Sequence, residues 1–179
     1  MNHDNWPVWA TEAIIIEPYN PKWPSDAAEL IKELKGLHGF DDTVFEHIGS
    51  TAVPGLCAKP IIDLISPINN FDDLDTIVEC LKVNDWHLIP PDLDQREYRR
   101  TFVKVVDNKR FAHLHLLLNG SNELKHHIEF RNILRQYRLL ADDYAQLKID
   151  LAKKYKGERE KYTEAKSDFI KATLQKYSV

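Results

Sequence analysis

A chain of 179 residues, 43% hydrophobic and 29% charged, fits one domain of ordinary size that can bury a core without staples. This composition excludes wholesale disorder. A formal net charge of -4 leaves no global cationic field for nucleic acid or anionic lipid, so any polyanion site must be a local cluster.

The cysteines Cys57 and Cys80 are far apart and form no CxxC pair, which argues for a reducing compartment over a disulfide framework. Residues 1–7 are polar and lack the apolar stretch of a signal peptide. The longest apolar runs, 13–16 and 114–118, are far too short to span a bilayer. The expected location is the cytoplasm, with no membrane and no nucleic-acid partner.

Residues 1–11 read as a loose tail carrying Trp6 and Trp9. The isoleucine-rich run 13–17, stopped by Pro18, predicts a strand. Asn20-Pro21 and Trp23-Pro24 mark a loop. Ser25 is an N-cap candidate, and Ala27, Leu30, Ile31 and Leu34 recur at helical spacing, which predicts a helix over 25–36 closed by Gly36 and Gly39. Residues 44–48 read as a strand cut off by Gly49-Ser50, and 60–68 as another, apolar except for Asp63. A helix over 72–84 and a short strand over 86–89 follow, the latter ended by Pro90-Pro91. Strands over 98–106 and 110–118 are joined by a hairpin turn at Asp107-Asn108-Lys109. Beyond Gly120 the pattern turns helical, over about 122–138, 140–156 and 158–176. The expected architecture is a single α+β (mixed α/β) domain over 1–179, with a sheet-containing part over 1–120 and C-terminal helices over 121–179.

The stretch from Gly49 to Asp63 carries the chemistry. A glycine at a strand end lets backbone approach a ligand closely. The hydroxyls and N–H groups of Ser50 and Thr51 follow, at a place suited to phosphate if a helical turn starts there. Asp63, inside an apolar strand, needs a cationic partner, and a metal ion is a natural one. His113 and His115, at i and i+2 of a strand, point to one face. If strand order sets them beside Asp63, which the sequence does not give, the three make a set of two imidazoles and one carboxylate, which suits Mn, Fe or Zn rather than Mg alone. Arg131 and Arg135, at i and i+4 of one helix, offer a cationic patch.

Gly49-Ser50-Thr51-Ala52-Val53-Pro54-Gly55-Leu56, followed by Lys59-Pro60-Ile61-Ile62-Asp63, resembles the signature of the GrpB family. Pro18-Tyr19 through Trp23-Pro24, His113-Leu114-His115, Phe130-Arg131 with Leu134-Arg135, and Tyr162 with Lys166 extend the resemblance from about Ile14 to Phe169. It implies a nucleotidyltransferase-like fold, a mixed sheet with flanking helices, related to polymerase-β-like and aminoglycoside nucleotidyltransferases. It implies that Gly49, Ser50 and Thr51 hold a nucleoside triphosphate and that Asp63 is the catalytic strand acid. Phosphate contacts are expected from Lys59 within the signature, from Arg99 in a basic strand, from Arg131, and from Lys148 and Lys166 on the C-terminal helices. The implied cofactor is a divalent metal, Mg or Mn ahead of Zn or Fe, on Asp63, His113 and His115. The partners are the triphosphate and an unknown small-molecule acceptor with a hydroxyl.

The superfamily places a second acid two residues after the first, and here that position is Ile65, on the same face as Asp63. The expected activity is metal-dependent nucleotidyl transfer. Two alternatives stand beside it. One is a non-catalytic module for a nucleotide or CoA-like ligand. The other is a transition-metal phosphoesterase built on the two histidines.

Overall fold

The structure is a computed structural model that describes residues 7–40 and 42–177. Five strands, β1 (Glu46–Ile48), β2 (Ile62–Ile68), β3 (Trp86–Leu88), β4 (Arg99–Val106) and β5 (Lys109–Leu118), form one mixed sheet in the order β1-β2-β5-β4-β3. β2 and β5 run parallel, and the other pairings are antiparallel. Seven α-helices are described: α1 (Trp23–Lys35), α2 (Leu74–Lys82), α3 (Pro91–Asp94), α4 (Asn122–Gln136), α5 (Arg138–Lys154), α6 (Arg159–Glu164) and α7 (Ser167–Tyr177). The mixed α/β architecture expected from the sequence is the one that forms. None of the helices is long and apolar enough to cross a membrane.

Residue parity assigns the two sheet faces. Ile62, Leu64, Leu114 and Leu116 face α1 and α2 and build the main core with Trp23, Leu34, Leu81, Trp86 and Phe102. The opposite face carries Ile48, Ile65 and Leu117, which pack against Leu124 and Ile128 of α4. Cover on both faces is why the β2 sequence reads as nearly continuous apolar. Val53 and Leu56, in the loop after β1, pack on Leu134, Ala141 and Tyr144, so the C-terminal helices close against the Gly49 loop.

Several expectations need correction. The run 13–17 does not join the sheet. Ile14 donates its N–H to Lys156, and Glu17 and Ala58 exchange backbone hydrogen bonds as an isolated bridge. The run is an extended strap, with Ile14 buried beside Ala152 and Tyr162. An isoleucine-rich run buries equally well in a ladder or laid across helices, so composition alone does not separate the two. α1 starts ahead of Ser25, because Pro24 suits the first turn, and the Ser25 hydroxyl donates to the Lys22 carbonyl. The strand expected over 44–48 pairs only at Glu46–Ile48. The helix expected over 158–176 is two, α6 and α7. The short α3, between Pro90 and Gln95, was not expected. The hairpin turn is a tight two-residue one: Asp107 and Asn108 have φ of 50° and 59°, and Val106 pairs with Lys109. Of the tail over 1–11, residues 1–6 lie outside the described residues, and Val8–Ala10 form a single 3₁₀ turn.

Candidate active site on the sheet face below α4

The turn after β1 lands on Asp63. Register sets Ile48 opposite Asp63, so the chain leaving β1 passes directly over that carboxylate. Gly49 sits at φ 72°, ψ -171°, a conformation L residues rarely adopt. A Cβ added there would lie 2.5 Å from Asp63 Oδ2. Glycine is therefore required twice, for the turn and for the approach. Ser50–Ala52 then form one 3₁₀ turn. Thr51 is buried, with its hydroxyl 3.0 Å from His47 Nε2 and 3.4 Å from the Ile61 carbonyl, so it pins the turn rather than facing a ligand.

Parity sets His113 and His115 on one face, and strand order brings them to Asp63. β2 and β5 are neighbours with Asp63 opposite His113 and Ile65 opposite His115. His113 Nδ1 lies 2.9 Å from Asp63 Oδ1, and His115 Nε2 lies 3.9 Å from the same oxygen. One ligand atom from each of the three falls within 4.8 Å of the others. Burial opposes ionisation of Asp63, but the hydrogen bond with His113 and the nearby His115 ring outweigh it and hold the carboxyl well below the usual range. Burial lowers His113 to about 4 against the pull of Asp63, so the ring is neutral at neutral pH. Its Nε2 is buried without a partner. This orphaned nitrogen and the donor set fit a metal ion.

A second group of side chains is cationic. Lys148 of α5 is only 2% exposed and donates to Ser50 Oγ at 2.9 Å and to the Cys57 carbonyl. Burial lowers it to about 7. Lys59 and Lys166 stand over the same Tyr162 ring, at 5.1 and 4.5 Å from its centroid. Burial lowers Lys59 to about 7 and Lys166 to about 8, with the Asp63 carboxylate pulling both the other way. Arg110 and Arg159 adjoin them, and Arg159 Nε is buried without a partner. Acids lie among these cations too: Asp63, Glu12 at 3.9 Å from Arg159, and Glu17 and Asp107 in the lining of the adjoining cleft. A cleft of about 380 Å³ opens beside them, lined by Lys59, Arg110 and Arg159 and by Ile15, Pro60 and Ile61.

Two residues expected to contact phosphate are engaged with protein carboxylates. Arg99 is committed to Asp94 through both Nε, at 3.1 Å, and Nη2. Arg131 is buried and bonds Glu46 at 2.6 Å and the His47 carbonyl at 2.8 Å, while Arg135 holds the Ala52 carbonyl at 2.9 Å. The α4 arginines thus brace β1 and the turn. Both engagements share a cause: each guanidinium finds a carboxylate that spacing along its own element does not reveal. Asp94 and Arg159 carry no signal along the chain that marks them, and Thr101 and Asp94 back His115, whose ring lies parallel to that of His127 at 6.3 Å and 7°.

The family model described as GrpB protein matches residues 13–176. The UPF0157 protein YqkA of Bacillus subtilis is 33% identical over 86% of this chain, which spans only 44% of that longer protein. The UPF0157 protein BH1888 of Halalkalibacterium halodurans is 31% identical over 92% of this chain and 82% of its own. Among solved structures, the conserved protein GrpB from Enterococcus faecalis superposes with a TM-score of 0.79 at 29% identity, over 91% of this chain and 99% of that one. With the match running across the whole sheet and through the C-terminal helices to residue 176, the chain belongs to the GrpB family.

Proposed function

We propose that this protein binds a nucleoside triphosphate and, with a divalent cation, transfers its nucleotidyl group to the hydroxyl of a small acceptor. The observation that carries this reading is the set of desolvated lysines near the Gly49-Ser50 turn: Lys148 on the Ser50 hydroxyl, and Lys59 and Lys166 over the Tyr162 ring within the field of Asp63. Ammonium groups taken out of water with few carboxylates among them are unfavourable until an anion joins them, and a polyphosphate supplies that charge.

Each residue then has a task. Gly49 lets the turn backbone approach a phosphate. Ser50 and Lys148, already 2.9 Å apart, turn their donors to phosphate oxygens. Lys59 and Lys166 neutralise the remaining charge from the Tyr162 side. Asp63, His113 and His115 would hold the cation, which when bound supplies charge neutralisation at the phosphates and acidifies an acceptor hydroxyl. The cleft beside Lys59 has room for one organic moiety. The thiols of Cys57 and Cys80 are free, which fits a reducing compartment, and we place the protein in the cytoplasm.

One observation favours a second reading. Ile65, where related enzymes carry their second acid, is 0% exposed and locked among Ile48, Leu117 and Leu124. A site with one strand carboxylate can bind without turning over, as a nucleotide-binding module would. Thermal-shift measurement with ATP, GTP, CTP and UTP, with and without Mg or Mn, tests the shared core of both readings. A ligand that binds only the native state raises the melting temperature. Wild type should show a metal-dependent rise that Asp63→Ala loses; an equal rise in the variant contradicts the site. Pyrophosphate release with an acceptor library separates transfer from mere binding.

A further inference from the structure

The hydrogen-bond chain behind His115 fixes which of its nitrogens is free. Asp94, at the end of α3, accepts from Arg99 through two nitrogens, so it is a carboxylate with no proton to give. Thr101 Oγ1 lies 3.1 Å from Asp94 Oδ2 and 3.2 Å from His115 Nδ1. Its single hydroxyl proton must go to the carboxylate. Oγ1 can then only accept, so His115 Nδ1 carries a proton and donates it to Thr101. With Nδ1 protonated, the neutral form of the ring carries its lone pair on Nε2, which lies 3.9 Å from Asp63 Oδ1. The His127 ring lies parallel to that of His115, with centroids 6.3 Å apart.

Two acceptors facing each other across that gap call for a cation between them. A proton would satisfy His115 and Asp63 alone. His113 lies on the same carboxylate oxygen at 2.9 Å, its other nitrogen buried without a partner, and all three residues offer ligand atoms within 4.8 Å. A metal ion uses all three together. Imidazole nitrogens suit the later first-row metals, whereas magnesium prefers oxygen and keeps its waters. Backing of a ligating imidazole by a hydrogen-bonded chain to a carboxylate is what metal-binding histidines usually have.

We infer that Asp63, His113 and His115 form a single-ion centre for a first-row transition-metal dication of the manganese-to-zinc series rather than for magnesium, with Thr101 and Asp94 as positioning residues for His115. The inference concerns the cation of the site proposed above and rests on that reading for the ion's use, though not for its binding.

The test is direct titration of chelator-stripped full-length protein with Mg²⁺, Mn²⁺, Co²⁺ or Zn²⁺ alone, without nucleotide. The readouts are metal per chain, affinity, and the visible spectrum of the cobalt form. One transition-metal ion per chain is expected, held about tenfold or more tighter than Mg²⁺. Thr101→Val, which keeps the side-chain shape, should weaken that affinity about 10–100-fold and shift the cobalt bands, and Thr101→Ser should restore both. His115→Gln should lose the cobalt spectrum while keeping the wild-type circular dichroism. Failure to take up any of these metals, or Mg²⁺ held as tightly as Mn²⁺, overturns the centre. A Thr101→Val protein with wild-type affinity and spectrum overturns the relay. Metal uptake without any nucleotide binding would sink the nucleotide reading alone, and magnesium-dependent nucleotide binding without transition-metal uptake would sink this one alone.

Discussion

Gly49→Ala should lower the melting temperature by about 2–12 °C and weaken metal-dependent nucleotide binding on the order of a hundredfold. The first effect is conformational. At φ 72° and ψ -171° a Cβ sits in a region populated essentially by glycine, which costs about 1–3 kcal/mol, and each kcal/mol moves a domain of this size by about 2–4 °C. The second is local. The new methyl would lie 2.5 Å from Asp63 Oδ2 and 3.2 Å from Asp63 Cβ, so the carboxylate must swing or the strand must shift. Either movement breaks the 2.9 Å contact with His113 and opens the ligand triangle. Thermal unfolding and a metal titration check the two effects separately. A Gly49→Ala protein that melts lower yet binds metal like wild type would mean the turn does not set the position of Asp63.

Raising the pH from about 7 to about 10 should stabilise the ligand-free protein through Lys59, Lys148 and Lys166, and weaken its affinity for a triphosphate. Burial lowers these groups to about 7, about 7 and about 8, from an ordinary lysine value of 10.5 in the unfolded chain. Between those limits the unfolded state binds more protons than the folded one, so the contribution of these groups to stability increases with pH. A bound polyanion reverses the preference by keeping the ammonium groups charged. Binding then takes up protons, and affinity falls by up to about tenfold per pH unit for each lysine that must be reprotonated. Melting curves and triphosphate titrations at pH 7, 8 and 9 read both slopes. Lys148→Met should flatten both by its own share. Affinity independent of pH would place the polyanion away from these lysines.

Much of this site can be read from the residues in order. Gly49-Ser50 after a short apolar run, Asp63 alone in an apolar strand, and His113 and His115 two apart are local patterns, and each keeps its meaning in the fold. The convergence of Asp63 with the histidines required β2 to lie beside β5, a pairing between segments about fifty residues apart that periodicity does not encode. Lys148 shows the limit from the other side. Lysines on amphipathic helices usually reach water, and only the placement of α5 against the Ser50 turn buries this one. The partners of Arg99 and Arg131 are likewise not marked along their own elements. Asp94 sits at the end of a short helix after Pro90-Pro91, and Glu46 at the start of a three-residue strand, and each claims its arginine through tertiary contact. The strap over 13–17 misled for a related reason, since its partners Ala58 and Lys156 lie far along the chain.

The most direct measurement is calorimetric titration of wild type and Lys148→Met with ATP, GTP, CTP and UTP at pH 7 in the presence of Mn²⁺. Saturable binding of at least one nucleotide to wild type, weakened about tenfold or more in the variant, is the predicted result. Absence of saturable binding to well-folded wild type, or equal affinity in the variant, would contradict a triphosphate site built on the Gly49-Ser50 turn and its buried lysine.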